Sequence, residues 1–206
     1  MSIVVDDVLA LKDLYKDFYI YNDGECEVLT DFDGNEIDVS EYDYEYGASK
    51  IVFIFDKYVV KIPIAGKLYY NRYEDRIDVD YINEINYCGR EIDVYKKAKK
   101  VGIERFFLKS RFIDECSEVQ EKGDESVCFS SYDENTVKIS DSFSRYAREN
   151  LSKEVLKVLS EYYTSKEIGK FSNFIEENDV NDLSCHNMIM KNGRPVFMDY
   201  SGYLFD

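Results

Sequence analysis

Three residues carry the clearest chemical signal in the sequence: Asp182, Asn187 five positions later, and Asp199 twelve beyond that. Phosphoryl transfer needs this kind of set. One carboxylate must orient or deprotonate a hydroxyl acceptor, and oxygen ligands must hold magnesium against the phosphates. Between Asn187 and Asp199, the runs Met188-Ile189-Met190 and Val196-Phe197-Met198 flank Asn192-Gly193, a strong signal for a type I′ hairpin. A hairpin with a loop before it and a carboxylate after it folds both of its ends towards one place.

Other chemistries are poorly served. His186 is the single histidine, so no multi-histidine metal site can form. Cys185 stands beside it, but adjacent residues on a strand point to opposite faces, which argues against a nucleophile pair. The five cysteines, Cys26, Cys88, Cys116, Cys128 and Cys185, are odd in number and none lies in a Cys-x-x-Cys pair. That argues against a disulfide framework and a structural zinc site, and it fits a reducing cytoplasm.

Charge narrows the partners. The formal net charge of −16 is the reverse of the basic footprint that nucleic-acid binding requires, and it disfavours anionic membrane surfaces. The acid excess suits solubility and would attract a cationic acceptor. Apolar residues make up 45% of the chain, enough for a sizeable core. The 19 tyrosines are expected to pack their rings with the hydroxyls at the surface. No segment approaches the ~18 apolar residues of a membrane span. The opening residues hold Asp6 and Asp7 and no basic group, so they do not read as a secretion signal.

The elements that must position these residues follow from periodicity. Residues 7–19 have roughly helical apolar spacing, and residues 25–39 read as a hairpin turning at Asp33-Gly34. Ile51 to Phe55 and Tyr58 to Ile62 form a strand pair around Asp56-Lys57, with Pro63 expected to end the second strand. Residues 80–100 switch to a helical period, with Ile85, Cys88, Ile92 and Tyr95 on one face and Gly102 as the stop. Phe106 to Ile113 reads as a strand, and a strand or hairpin is expected over Val127 to Ile139. Helical spacing returns in Leu151 to Tyr163 and again in Ile168 to Ile175, before the closing hairpin. The class is therefore α+β, a sheet part followed by a helical part.

In this order the motifs resemble the catalytic loop and metal-binding motif of protein kinases and the related aminoglycoside-type phosphotransferases. Asp182 matches the catalytic-loop aspartate, Asn187 the magnesium-binding asparagine, and Asp199 the aspartate of the Asp-Phe-Gly motif. Val59-Val60-Lys61-Ile62 is similar to the strand carrying the phosphate-binding lysine. Glu91 is the choice for that lysine's helix partner, with Glu84 second on nearly the same helix face. Gly47-Ala48-Ser49 sits where a glycine-rich loop would cover the phosphates.

The resemblance covers roughly residues 45–202. It implies a single two-lobed domain: an antiparallel-sheet N-lobe over about 1–115 with one inserted helix, and a truncated helical C-lobe over about 140–206. It implies ATP and Mg2+ as cofactors, and transfer of the γ-phosphate to a hydroxyl of a protein or a small molecule. Lys61 would grip the phosphates, Glu91 would orient Lys61, Asn187 and Asp199 would hold magnesium, and Asp182 would accept the acceptor's proton.

The chain departs from the pattern at several points. Val180 stands where protein kinases have histidine, Ser201 precedes the displaced Gly202, the glycine loop is thin, and Lys61 and Glu91 are far apart in sequence. No Ala-Pro-Glu motif or peptide platform follows Gly202, a reduction that resembles minimal kinase-like proteins of some bacteria and bacteriophages. These departures keep a second reading open, a pseudokinase or binding module acting on a partner protein. The first 40 residues match nothing in the pattern, and residues 114–150 have no assignment although the adenine-binding hinge is expected there.

Overall fold

The structure, a computed structural model, describes residues 2–15, 17–47, 49–124, 151–181 and 183–201, without the side chains of residues 2–7. The expected strand or hairpin over Val127 to Ile139 lies outside the described residues. The chain divides into two compact units: Met1–Gly89 with Phe112–Gln120, and Arg90–Arg111 with Glu121–Asp206. The class is α+β, as the periodicities imply.

The first unit begins with helix α1 (Ser2–Tyr15) and strands β1 (Phe18–Asn22) and β2 (Glu27–Thr30). Strands β3 (Asp43–Tyr46), β4 (Lys50–Ile54), β5 (Tyr58–Asn71) and β6 (Arg76–Ile82) follow. The sheet runs β2-β1-β5-β4-β3, with β6 also on β5. The β1–β2, β3–β4, β4–β5 and β5–β6 pairs are antiparallel, whereas β1 joins β5 in parallel. Strand β8 (Glu118–Glu121) also pairs with β5. Side chains alternating inwards from these strands, among them Phe18, Ile20, Leu29, Ile51, Phe53, Val60, Ile62 and Ile64, form an apolar core that also takes Val8 from α1 and Val119.

Several expected boundaries are corrected. Helix α1 stops at Tyr15, because Phe18 and Ile20 are buried on alternate positions of a strand rather than on a helix face. Strand β2 pairs chiefly with β1 and turns back through Ile37 N–H to Leu29 O at 2.9 Å, with Gly34 at φ 82°. The acidic tyrosine-rich stretch contains β3, where Tyr44 and Tyr46 lean on the core and Asp43 and Glu45 face water. Strand β5 does not end at Pro63. Successive N–H groups of a strand point to opposite edges, and here it is Ile64 N–H that reaches Ser49 O, at 2.9 Å, so the proline lacks a donor that β4 does not use. Residues 80–82 end β6, and helix α2 (Tyr87–Val101) starts later than expected. Asn86 Oδ1 accepts from Gly89 N–H at 2.8 Å, as an N-cap does. The strand expected at Phe106 to Ile113 shrinks to β7 (Ser110–Phe112), because Glu104–Phe106 forms a 3₁₀ turn.

The end of α2 agrees with the sequence. Gly102, at φ 73°, lets Ile103 N–H bond to Ala98 O and Gly102 N–H to Lys99 O, a Schellman closure.

The second unit contains helices α3 (Lys153–Tyr162) and α4 (Ser165–Glu177) and the antiparallel hairpin β9 (Met188–Lys191) and β10 (Arg194–Phe197). Ser152 caps α3 by accepting from Val155 N–H, and Thr164 with Glu167 forms a reciprocal capping box on α4. The core is aromatic: Phe106 stacks on Phe171 with centroids 4.4 Å apart and on Tyr163 at 4.3 Å, and Phe171 stacks on Phe197 at 5.6 Å.

Candidate functional site

The second unit carries Asn187 and Asp199 at the open end of one hairpin. In the hairpin, Phe197 pairs with Met188 and Arg194 with Lys191. Asn192 and Gly193 have φ of 50° and 71°, both left-handed, as a type I′ turn requires. The ladder continues one step past the strands, with Met198 N–H donating to Asn187 O at 2.9 Å. Asn187 and Asp199 therefore flank the open end of the hairpin, and both are half-buried. Ser201 Oγ donates to Asp199 Oδ1 at 3.3 Å.

Tyr200 fixes the backbone at Asp199. It is fully buried, and its hydroxyl donates to Leu108 O at 2.8 Å and lies 2.9 Å from Ser110 Oγ. A buried phenol needs such partners, and they hold the segment against residues 108–110, at the start of β7. The role of Tyr200 was not visible in the sequence beyond its place after Asp199.

Asp182 lies outside the described residues. The backbone leading to it is anchored: Asp179 adopts φ 52°, Val180 N–H bonds to Ile175 O at 2.8 Å, and Arg90 Nη2 donates to Asp179 O at 2.6 Å. Glu91, one residue along α2 from Arg90, is fully buried in the same unit.

The first unit holds Lys61, Gly47 and Ser49. Lys61 lies in β5 opposite Val52 and is only 4% exposed. Its Nζ stands 3.4 Å from Glu118 Oε1, and Glu118 is fully buried in β8. Glu118 is the residue that sequence reasoning missed. It sits among Ser117, Val119 and Gln120, all buried, and nothing in that polar stretch signals an interior position. Gly47 and Ser49 occupy the turn joining β3 to β4, where Gly47 N–H bonds to Lys50 O at 3.0 Å. A Cβ on Gly47 would meet nothing within 4 Å, so the backbone there leaves open space rather than demanding glycine. Glu84 is corrected: it lies between β6 and α2, outside the helix, and so does not share a helix face with Glu91.

Among the described residues no three histidine, cysteine, aspartate or glutamate side chains gather into a metal site. The pair Asn187 and Asp199 offers an amide oxygen and a carboxylate, the hard donors that magnesium prefers. Magnesium commonly takes one or two such protein ligands and completes its shell with phosphate and water.

No protein-family model matches the chain, and no characterised protein matches it in sequence. Among solved structures, the streptomycin–ATP–APH(2")-IIa ternary complex, that of an aminoglycoside phosphotransferase, aligns with a TM-score of 0.37 and 13% identity. The alignment covers 98% of this chain and 71% of that one. A likeness this distant carries no argument for this chain. Among the described residues no helix is long and apolar enough to cross a membrane.

Proposed function

We propose that the chain is an ATP- and magnesium-dependent phosphotransferase of the protein-kinase-like kind, working in the cytoplasm on a hydroxyl of a protein or a small molecule. The observation that supports it most is the hairpin end, where the Met198–Asn187 hydrogen bond and the anchored Tyr200 fix the backbone at Asn187 and Asp199. Magnesium bound there would neutralise charge on the phosphates. Asn187 would supply an amide oxygen to it and Asp199 a carboxylate, which Ser201 orients. Lys61 is assigned to the phosphates, Glu91 to orienting it, and Gly47 and Ser49 to covering them. Asp182 is assigned to the proton of the acceptor. Catalysis on this reading is positioning and charge stabilisation. The net charge of −16 favours a cationic acceptor among small hydroxyl compounds.

Thermal melting with ATP, with and without magnesium, tests the proposal. A ligand held at ~100 times its dissociation constant adds ~2.7 kcal/mol, enough to raise the melting temperature by a few degrees. The wild type should show a magnesium-dependent rise and Asp199→Ala none. Equal behaviour of the two, or no rise at millimolar ATP, sinks the reading.

A partner-binding module is the second reading, and the Lys61–Glu118 contact favours it. A lysine 4% exposed and 3.4 Å from a buried carboxylate has much of its charge met inside its own unit. On that reading Lys61→Met leaves partner capture unchanged. On the first it removes the nucleotide-dependent rise.

A further inference from the structure

The first unit contains a second cluster of reactive side chains, distinct from the residues above. Lys12 Nζ, on α1, donates to Asp114 Oδ2 at 2.7 Å, to Cys116 Sγ at 2.8 Å and to Ser117 Oγ at 3.0 Å. Asp114 Oδ1 accepts in turn from the N–H groups of Cys116, at 2.9 Å, and Ser117, at 2.6 Å. Burial opposes the lysine's charge, but the hydrogen bonds to Asp114 and Cys116 outweigh it and raise Lys12 above the ordinary lysine range. Lys12 is thus a fixed ammonium in contact with sulfur. Both residues line a cavity of about 240 Å³ whose apolar wall includes Phe18, Ile62, Pro63 and Ile64.

The other described thiols stand differently. Cys26 is exposed, but the neighbouring carboxylate of Asp23 raises its pKa, and its S–H donates to Asp23 Oδ2 at 3.7 Å. Cys88 is buried and donates to Lys61 O at 3.7 Å. Burial pushes Cys185 up to about 11. Reactive cysteines sit beside a cation in partly exposed places, whereas buried thiols are inert. Among the described cysteines Cys116 alone joins partial exposure, contact with an ammonium and a cavity for a reagent.

We propose that Cys116 is the reactive thiol of the described residues, a modification site for hydroperoxides that enter the cavity it shares with Lys12. Written from the thiolate, a sulfur electron pair attacks one peroxide oxygen. The S–O bond forms and the O–O bond breaks. Sulfur is oxidised by two electrons to a sulfenic acid and the peroxide is reduced. The attacked hydrogen-bearing oxygen stays on sulfur as S–OH, and the departing oxygen takes a proton from the Lys12 ammonium and leaves as water, or as an alcohol from an alkyl hydroperoxide. Lys12 regains its proton from solvent. The added oxygen falls among the contacts that tether α1 to residues 114–117, so the modification acts on the seat of that helix.

The test is competitive labelling of the full folded chain with limiting iodoacetamide at neutral pH, read by mass spectrometry of each cysteine peptide. Cys116 should react about tenfold faster than the more exposed Cys26, and hydrogen peroxide followed by dimedone should tag Cys116 first. Lys12→Met should bring the ratio to about one with the Cys26 rate unchanged, while Lys12→Arg keeps the preference. Labelling of buried Cys88 would reveal a variant that has unfolded, and the wild-type ratio then decides. A Cys116 rate no higher than that of Cys26 overturns the proposal, as does an undiminished rate in folded Lys12→Met.

Discussion

The two units solve the problem of an interior in opposite ways. In the first, mainly aliphatic side chains from a sheet form the core, and Lys61 and Glu118 make a buried ion pair. In the second, rings stack from Phe106 through Phe171 to Phe197, two hydroxyls within, Tyr163 and Tyr200, each bond to a carbonyl, and Glu91 is buried on α2. Hydroxyls bonded to backbone inside an aromatic core serve packing. A charge pair in a sheet core costs desolvation that apolar packing would avoid.

The contrast can be broken at several points. The largest effect is expected at the centre of the aromatic column. Phe171→Ala should cost about 3–5 kcal/mol by urea denaturation, because the ring touches Phe106, Phe107 and Phe197. If it costs under 1 kcal/mol, the stacking is not what holds the second unit. Glu118→Ala comes next, at about 3 kcal/mol, since it strips a buried lysine of a counter-charge. Replacing both partners, Lys61→Met with Glu118→Leu, should recover most of that loss. A double variant as unstable as the single one would mean that the pair itself holds the sheet.

The smallest effect is in pH. Burial raises Tyr163, whose hydroxyl bonds to Pro195 O at 2.8 Å, from 10.0 to about 12, with Arg194 and Arg105 pulling the other way. The folded state therefore keeps its proton where the unfolded chain has lost it. Stability from this group is complete below pH 10.0 and declines as pH rises from there to about 12. Tyr163→Phe should be less stable at neutral pH and fall less steeply over that range. Parallel curves for the two proteins would assign the alkaline loss to other tyrosines.

The helical unit was largely legible in the sequence. Leu156 and Leu159, and then Ile168, Phe171 and Ile175, keep a 3.6-residue period, and Asn192-Gly193 marks the hairpin turn by its local chemistry. In the sheet unit the β4–β5 pair around Asp56-Lys57 was legible, and little else was. Strand β3 hides behind acids that alternate with tyrosines, and β6 exposes nearly every side chain, so neither shows an apolar period. Pro63 looked like a terminus because the edge its missing donor faces is a tertiary matter. The hairpin between Asn187 and Asp199 was readable because Asn192-Gly193 specifies a two-residue turn. Glu118 was not, because its partner lies on a distant strand and nothing near it in sequence marks the pairing.

The parallel joining of β1 to β5 bears on how the chain acquires its structure. Phe18 must find Ile64 across a long intervening segment that includes β2, β3 and β4, whereas α3 and α4 are joined by a short connection and β9 meets β10 across a tight turn. Closing a long loop is entropically costly before any contact repays it, and chains rich in distant pairings fold slowly. The helices and the C-terminal hairpin should therefore gain protection from hydrogen exchange first, with the β1–β5 seam among the last parts of the molecule to close.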